Sequence, residues 1–196
     1  MAIRTEALSG QAMTRVLADL ARLRIEVFRD FPYLYDGTPE YEAGYLERLA
    51  SSRNAVIVGA FDADEVVGCA TAMPLEEEHG PFLDPVRAHG IAPESTFYLA
   101  ESVLRPAWRG QGIGHRFFDL REAHARELGG FDRALFCAVV RPADHPARPR
   151  GYTPLDGFWQ KRGYAPVEGL VGHFSWRDVG DDASSAKPMQ FWMKAL

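Results

Sequence analysis

Near the N-terminus the apolar residues Met13, Val16, Leu17, Leu20, Val27 and Phe28 recur at spacings of three and four, with Arg15, Asp19 and Arg22 between them. That period predicts an amphipathic helix ending before Pro32. Thr38-Pro39-Glu40 then supplies an N-cap, a first-turn proline and an early acid for a second short helix with Tyr41, Tyr45 and Leu49 on one face. Phe31 to Gly37, between them, is aromatic and fits neither period, as suits a loop lining a pocket. Ala55 to Phe61 and Val66 to Met73 are β-prone runs joined by Asp62-Ala-Asp-Glu65, which predicts an antiparallel hairpin. The stretch from Glu76 to Pro93 reads as a short helix within loops. Phe97 to Leu104 is a third strand. Gly114 to Leu128 is helical, with Ile113, Phe117, Leu120, His124 and Leu128 on one stripe and Gly129-Gly130 at its end. Ala134 to Val140 is continuously apolar, as in a strand buried on both faces. Strand, glycine-rich turn, helix and buried strand make a βαβ unit, which requires a parallel pair with a right-handed crossover. Arg141 to Arg150 is a loop, Leu155 to Arg162 one or two helical turns stopped by Gly163, and Val171–Trp176 and Met189–Met193 the last strands. The sum is an α/β chain with a mixed, mainly antiparallel sheet of about six or seven strands flanked by helices.

The 196 residues fit one domain, 1–196, and 46% hydrophobic with 25% charged residues places the chain among folded globular proteins. A net charge of −5 gives no general attraction to nucleic acid or anionic lipid. The longest uncharged apolar stretch, Val66 to Leu75, falls well short of the roughly 20 residues of a membrane span. Met1 to Met13 lacks the basic start and apolar run of a secretory signal, so the expected location is cytoplasmic. Cys69 and Cys137 sit inside apolar runs, where a thiol behaves as a small core residue and no disulfide is expected. The histidines at 79, 89, 115, 124, 145 and 173 have no metal-ligand spacing, and no metal is expected. His124, on an apolar stripe, reads as a satisfied core residue.

The chemistry concentrates in Val103-Leu-Arg-Pro-Ala-Trp-Arg-Gly-Gln-Gly-Ile-Gly-His115. Glycines at 110, 112 and 114 let backbone N–H groups converge where a helix N-terminus adds unpaired donors and partial positive charge, a cradle suited to a pyrophosphate. No Gly-Lys-Ser/Thr ends it, so it is not a P-loop, and its glycines are spaced two and two, unlike a Rossmann fingerprint.

Arg109-Gly-Gln-Gly112-Ile-Gly114 resembles the acetyl-CoA signature of the GCN5-related N-acetyltransferase (GNAT) superfamily, Arg/Gln-x-x-Gly-x-Gly/Ala, and Leu104-Arg-Pro106 stands where that family commonly has an apolar residue, any residue and proline. Phe158-Trp-Gln-Lys-Arg-Gly-Tyr164 resembles its aromatic-rich short helix. The resemblance implies a GNAT-like fold in which the signature strand splays from its parallel neighbour. It implies acetyl-CoA as co-substrate, with pantetheine bonded to backbone groups of Val103 and Leu104 and pyrophosphate on the amides of Arg109, Gly110, Gln111, Gly112, Ile113, Gly114 and His115. The Leu104 N–H would polarise the thioester carbonyl.

An attacking amine must be neutral, whereas an alkylammonium has a pKa near 10.4, so a base or a desolvating pocket is needed. Glu101, alternating with Phe97, Leu99 and Val103, interrupts an apolar face, and a carboxylate there requires a cleft or an arginine partner. The resemblance implies the first, since family members often carry a deprotonating glutamate on this strand. Where the family often has a tyrosine protonating the departing CoA thiolate, this chain has Trp159, grouped with the cofactor-binding residues, and an indole cannot serve as that acid. Tyr152 and Tyr164 are substitutes. Arg141, Arg148, Arg150, Lys161 and Arg162 are candidates for the adenosine phosphates or a solvated face. Phe31 to Tyr35, Asp30, Asp36 and Glu76 to Glu78 are candidates for the acceptor side, where acids suit a cationic amine.

The expected activity is therefore acetyl transfer from acetyl-CoA to a primary amine of a small molecule or peptide, by direct attack in a ternary complex. A non-catalytic acyl-CoA sensor is the first alternative and a dinucleotide oxidoreductase the second. Phe191-Trp192 near the C-terminus suits a paired strand in a homodimer.

Overall fold

A computed structural model describes residues 3–78 and 80–196, so His79 lies outside the described residues. The elements in chain order are β1 (Arg4–Ser9), α1 (Leu17–Phe28), α2 (Pro39–Ser51), β2 (Val56–Asp62), β3 (Glu65–Pro74), α3 (Gly80–Ala88), β4 (Thr96–Tyr98), β5 (Ser102–Leu104), α4 (Ile113–Leu128), β6 (Arg133–Val139), α5 (Asp156–Lys161), β7 (Ala165–Trp176) and β8 (Ser185–Ala195). They build one eight-stranded sheet in the order β1-β2-β3-β4-β6-β8-β7, with β5 paired to β3 alone. Every pairing is antiparallel except β4 with β6, the parallel pair expected of the βαβ unit.

Local chemistry explains most boundaries. The Thr38 hydroxyl caps α2 through the Tyr41 amide, and Pro39 opens that helix. Gly129 closes α4 with φ +74°. Strand alternation then separates two faces. Phe97, Ala134 and Phe136 point into a core with Phe117 and Phe118 of α4. Leu8, Leu20, Leu23, Leu49 and Val103 fill a second core under α1 and α2, and Tyr98, Leu135 and Phe191 join α3 residues Leu83 and Val86 in a third.

Four expectations change. β1 has no counterpart in the hydrophobic pattern because an edge strand buries only Leu8, and its remaining positions are polar or small. The single strand Phe97 to Leu104 divides into β4 and β5: the Ala100 N–H donates to Thr71 O while Glu101 O accepts from the Thr71 N–H, each at 3.0 Å, so two residues oppose one and the strand is bulged. With β1 and this division the strands number eight. The buried face of α4 is rotated from the expected stripe, covering Arg121 and Glu122 and leaving Leu128 40% exposed. Phe191 and Trp192 are buried in the chain's own sheet and give no support to a paired strand with a second copy. No described helix is long and apolar enough to cross a membrane, and both cysteines are free and buried.

Candidate active site

β5 is the pivot of the site. Its register on β3 pairs Gly68 with Leu104, Cys69 with Val103 and Ala70 with Ser102. The Arg105 N–H donates to Val67 O at 3.1 Å and the Thr71 N–H to Glu101 O at 3.0 Å, which fixes the phase of the ladder. Bonded pairs alternate in an antiparallel ladder, so residues 101, 103 and 105 face β3, while Ser102 and Leu104 aim their amides and carbonyls the other way. Among the described residues no strand lies on that other side: β4 follows β6 only to Tyr98, the Leu99 N–H bonds Leu135 O at 2.8 Å as the last rung, and β6 continues to Val139. A cavity of about 880 Å³ fills the split, lined by Leu99 to Ser102, Leu104, and residues 136–141 of β6 and its exit. This corrects the pairing of Val103 with Leu104 as backbone partners of a bound arm. Val103 faces Cys69, and it is Ser102 that lines the cavity.

The glycine turn opens into the same cavity. Gly110 and Gly112 have φ of +76° and +79°, and a Cβ on either would meet nothing within 4 Å, so conformation rather than space calls for glycine there. Gly114 has ordinary backbone angles, and a Cβ would stand 3.5 Å from Phe158 Cζ. Two of the seven expected amides are already engaged, Arg109 N–H with Pro106 O at 3.1 Å and His115 N–H with Gly112 O at 3.0 Å. The cradle narrows to Gly110 through Gly114, at the start of a 16-residue helix. Backbone donors at a helix N-terminus, with open space beside Gly110 and Gly112, have the chemistry that suits a diphosphate. Arg109 Nε donates to Leu104 O at 3.0 Å, tying the turn to β5, and Gln111 Nε2 donates back to Ala107 O at 3.3 Å. The His115 ring lies 4.8 Å from Phe158 and 3.3 Å from Arg162 Nη1.

Glu101, in the break between β4 and β5, is 8% exposed. Its Oε2 is 2.8 Å from Arg24 Nη1, and the Tyr45 hydroxyl, which donates to it, lies 2.8 and 2.6 Å from its two oxygens. Arg24 also pairs with the fully buried Glu42, which accepts from the Tyr35 hydroxyl at 2.9 Å. Burial opposes the charge on Arg24, but attraction to Glu101, Tyr45 and Glu42 outweighs it and lifts its pKa above the ordinary value. Burial likewise pushes the Tyr45 phenol well above its ordinary value. Beneath the break, Arg121 is 1% exposed and donates to Phe117 O, Thr71 O, Glu101 O and Ser102 Oγ at 2.9 to 3.1 Å. Desolvation pushes its pKa down to about 10. Two arginines and two carboxylates thus form a charge-balanced buried group around the strand break. Sequence reasoning missed Arg24, Glu42 and Arg121. A signal was present: Arg24 follows Leu20 by four and precedes Val27 by three, and Arg121 follows Phe117 by four, so both interrupt apolar stripes as Glu101 does.

Trp159 lines the cavity as a wall, its ring edge-on to Phe136 and Trp192 at 5.0 and 5.1 Å. Tyr164 is buried away from the cavity and donates to Glu122 at 3.1 Å. Tyr152 lines the cavity, packed at 4.7 Å on Phe31. Of the residues expected on the acceptor side, Asp30, Phe31 and Tyr33 are in the lining, whereas Asp36 pairs with Arg29 and Arg177, and Glu76 to Glu78 lie outside it. Arg141 is committed to Asp178 and to the carbonyls of Pro32 and Tyr33, all within 2.9 Å, so it clamps the aromatic loop and is not free for a phosphate. Arg162 is committed to Asp119 and Glu122. His124 bonds Asn54 O at 3.0 Å, as a satisfied core histidine. Among the described residues no cluster of three or more His, Cys, Asp and Glu side chains could hold a metal ion.

Residues 20–164 match the Acetyltransferase (GNAT) family. The chain belongs to that family. GNAT membership accounts for the splayed pair and the glycine turn together, and supports acetyltransferase activity with acetyl-CoA as donor. No curated protein matches the chain. Solved structures with the GNAT fold of this chain include NAA60 of Arabidopsis thaliana in complex with acetyl-CoA, with TM-score 0.67, 11% identity and coverage of 100% of this chain and 99% of that one. Ribosomal-protein-alanine N-acetyltransferase of Brucella melitensis aligns with TM-score 0.61, 16% identity and full coverage of both chains. An acetyltransferase of the GNAT family from Streptococcus pneumoniae gives 0.58, 16% and full coverage of both. At such identities the likeness is one of fold.

Proposed function

We propose that this GNAT protein transfers an acetyl group from acetyl-CoA to a primary amine by direct attack within a ternary complex. The observation that carries the reading is the orientation of Leu104, whose amide is turned from β3 into a split lined at one end by the glycine turn and at another by Glu101. Pantetheine would extend along Ser102 and Leu104 as an added strand, with the diphosphate on the amides of Gly110 to Gly114. The Leu104 N–H would donate to the thioester carbonyl oxygen, where negative charge grows as the amine nitrogen attacks, a contribution of about 3 kcal/mol. The C–N bond forms and the C–S bond breaks. The ammonium proton passes to Glu101, directly or through one water, and sulfur departs as a thiolate. A thiol pKa near 8.5 lets it leave without a strong acid, and the Tyr152 hydroxyl is the cavity group suited to protonate it.

The engagement of Glu101 by Arg24 and Tyr45 favours one other reading, a non-catalytic acyl-CoA-binding module in which Glu101 is a structural anion and Trp159 fills the acid's place. Calorimetry with acetyl-CoA, paired with thiol release over a broad amine panel, separates them. Binding with release supports the transferase, binding without release the sensor, and preference for NAD(P) would sink both.

A further inference from the structure

Arg148 stands apart from the other cations of the cavity. It lies in the link between β6 and α5, and its guanidinium carbon is 5.0 Å from the Tyr152 ring centre and 6.0 Å from that of Phe31. Those two rings hold each other edge to face at 4.7 Å. Arg141 is bound to Asp178 and two carbonyls, Arg121 to carbonyls and Ser102, and Arg109 to Leu104 O. Arg148 has one long bond, 3.5 Å, to Tyr152 O, and no carboxylate within ion-pair reach among the described residues, Asp30 and Asp156 of the same lining included. A guanidinium resting on aromatic faces keeps its N–H edge free, and that edge is the fork that takes a carboxylate through two parallel bonds.

Its place decides which ligand it meets. Phe31 belongs to the link between α1 and α2, on the sheet face that carries those helices. Arg24 of α1 and Tyr45 of α2 draw the Glu101 carboxylate toward that same face. The glycine turn opens α4, which packs on the opposite face. Arg148 is therefore on the side where an amine would approach Glu101, away from the diphosphate cradle.

We propose that Arg148 binds a carboxylate of the acceptor, so that the acceptor is an amine that also carries a carboxylate: an amino acid or a short peptide. This rests on the reading of the chain as an amine acetyltransferase and narrows its substrate class. The phenyl and phenol rings hold the fork in place before the acceptor arrives, which lowers the entropy lost on binding.

The test measures thiol release from acetyl-CoA with free amino acids and dipeptides, each beside its C-terminal carboxamide, for the wild type, Arg148→Gln and Arg148→Lys. The expected result is turnover of carboxylate-bearing amines with kcat/KM about tenfold or more above their amides, the worth of one charged hydrogen-bonded contact. Arg148→Gln should remove that preference by raising the acceptor KM with the acetyl-CoA KM unchanged, and Arg148→Lys, charged but unforked, should restore part of it. Equal turnover of acids and amides, turnover of uncarboxylated amines alone, or no turnover of any carboxylated member by protein that binds acetyl-CoA would each overturn the proposal. So would a rise in the acetyl-CoA KM alone in Arg148→Gln, which would assign the residue to the nucleotide. Failure to bind acetyl-CoA at all would remove the acetyltransferase reading itself, a result the calorimetric arm reports separately.

Discussion

Arg24 on α1 and Glu101 in the break between β4 and β5 meet at 2.8 Å, with the Tyr45 hydroxyl as a second donor to the same carboxylate. The pair holds the carboxylate on the side of the split that carries α1 and α2, while the backbone of residue 101 is fixed by Thr71 and Arg121. In the base role proposed above, a group held so firmly would act through orientation, accepting a proton from an amine or water that reaches its remaining lone pairs.

Glu101→Gln should therefore lower kcat about 100-fold or more, the usual worth of a positioned base, and flatten the gain in rate toward basic pH. The acetyl-CoA KM should change little, since the glycine turn is untouched. Steady-state kinetics on any accepted amine checks this, and an unaltered kcat would remove Glu101 from the chemistry.

The glycines of the turn should not respond alike. Gly112→Ala forces a side chain into φ +79°, a strain of about 1–2 kcal/mol, and should weaken acetyl-CoA binding about tenfold by calorimetry. Gly114→Ala, with ordinary angles and its Cβ in normal contact at 3.5 Å with Phe158, should be milder. The reverse order would mean that the left-handed turn is not what forms the cradle.

Arg121→Met would leave the carbonyls of Thr71, Glu101 and Phe117 without this donor and loosen the bulge that turns Leu104 outward. A fall in kcat greater than the rise in acetyl-CoA KM is expected, together with about 1.5–3 kcal/mol of lost stability for the hydrogen bonds of a charged donor. The Arg121 pKa is lowered to about 10 in the folded chain. Folded and unfolded states are both protonated below that value, so the stability difference between wild type and variant should be the same from about pH 5 to 9. Urea denaturation across that range tests it, and a slope would place the titration elsewhere.

Part of the acid sensitivity should come from Glu122. Burial raises its pKa, but Lys194, Tyr164 and Arg162 outweigh burial and hold it below the ordinary value. A carboxylate depressed in the folded state stabilises above its unfolded pKa, near 4.3 for glutamate, and that stability is lost as pH falls through the folded value. Glu122→Gln should therefore be less stable than wild type at neutral pH, and the gap should close in denaturation curves taken below about pH 4.

Much of this was legible because it is local. The Thr38 cap, the hairpin turn, the glycine punctuation before and after α4 and the apolar run of β6 each depend on neighbours within a few residues. The edge strand β1 was not legible, since one buried leucine in six residues leaves no period to read. Nor was the division of the third strand, because a bulge depends on how Thr71 of another strand meets residues 100 and 101.

The sequence alone determined most of the elements and the glycine turn before α4, because backbone angles and apolar spacing are written in contiguous residues. Tertiary structure decided which charged interruptions of apolar stripes meet. Arg24, Glu42, Glu101 and Arg121 come from α1, α2, a strand break and α4, and only the packing of both sheet faces brings them close enough for attraction to offset the cost of burial.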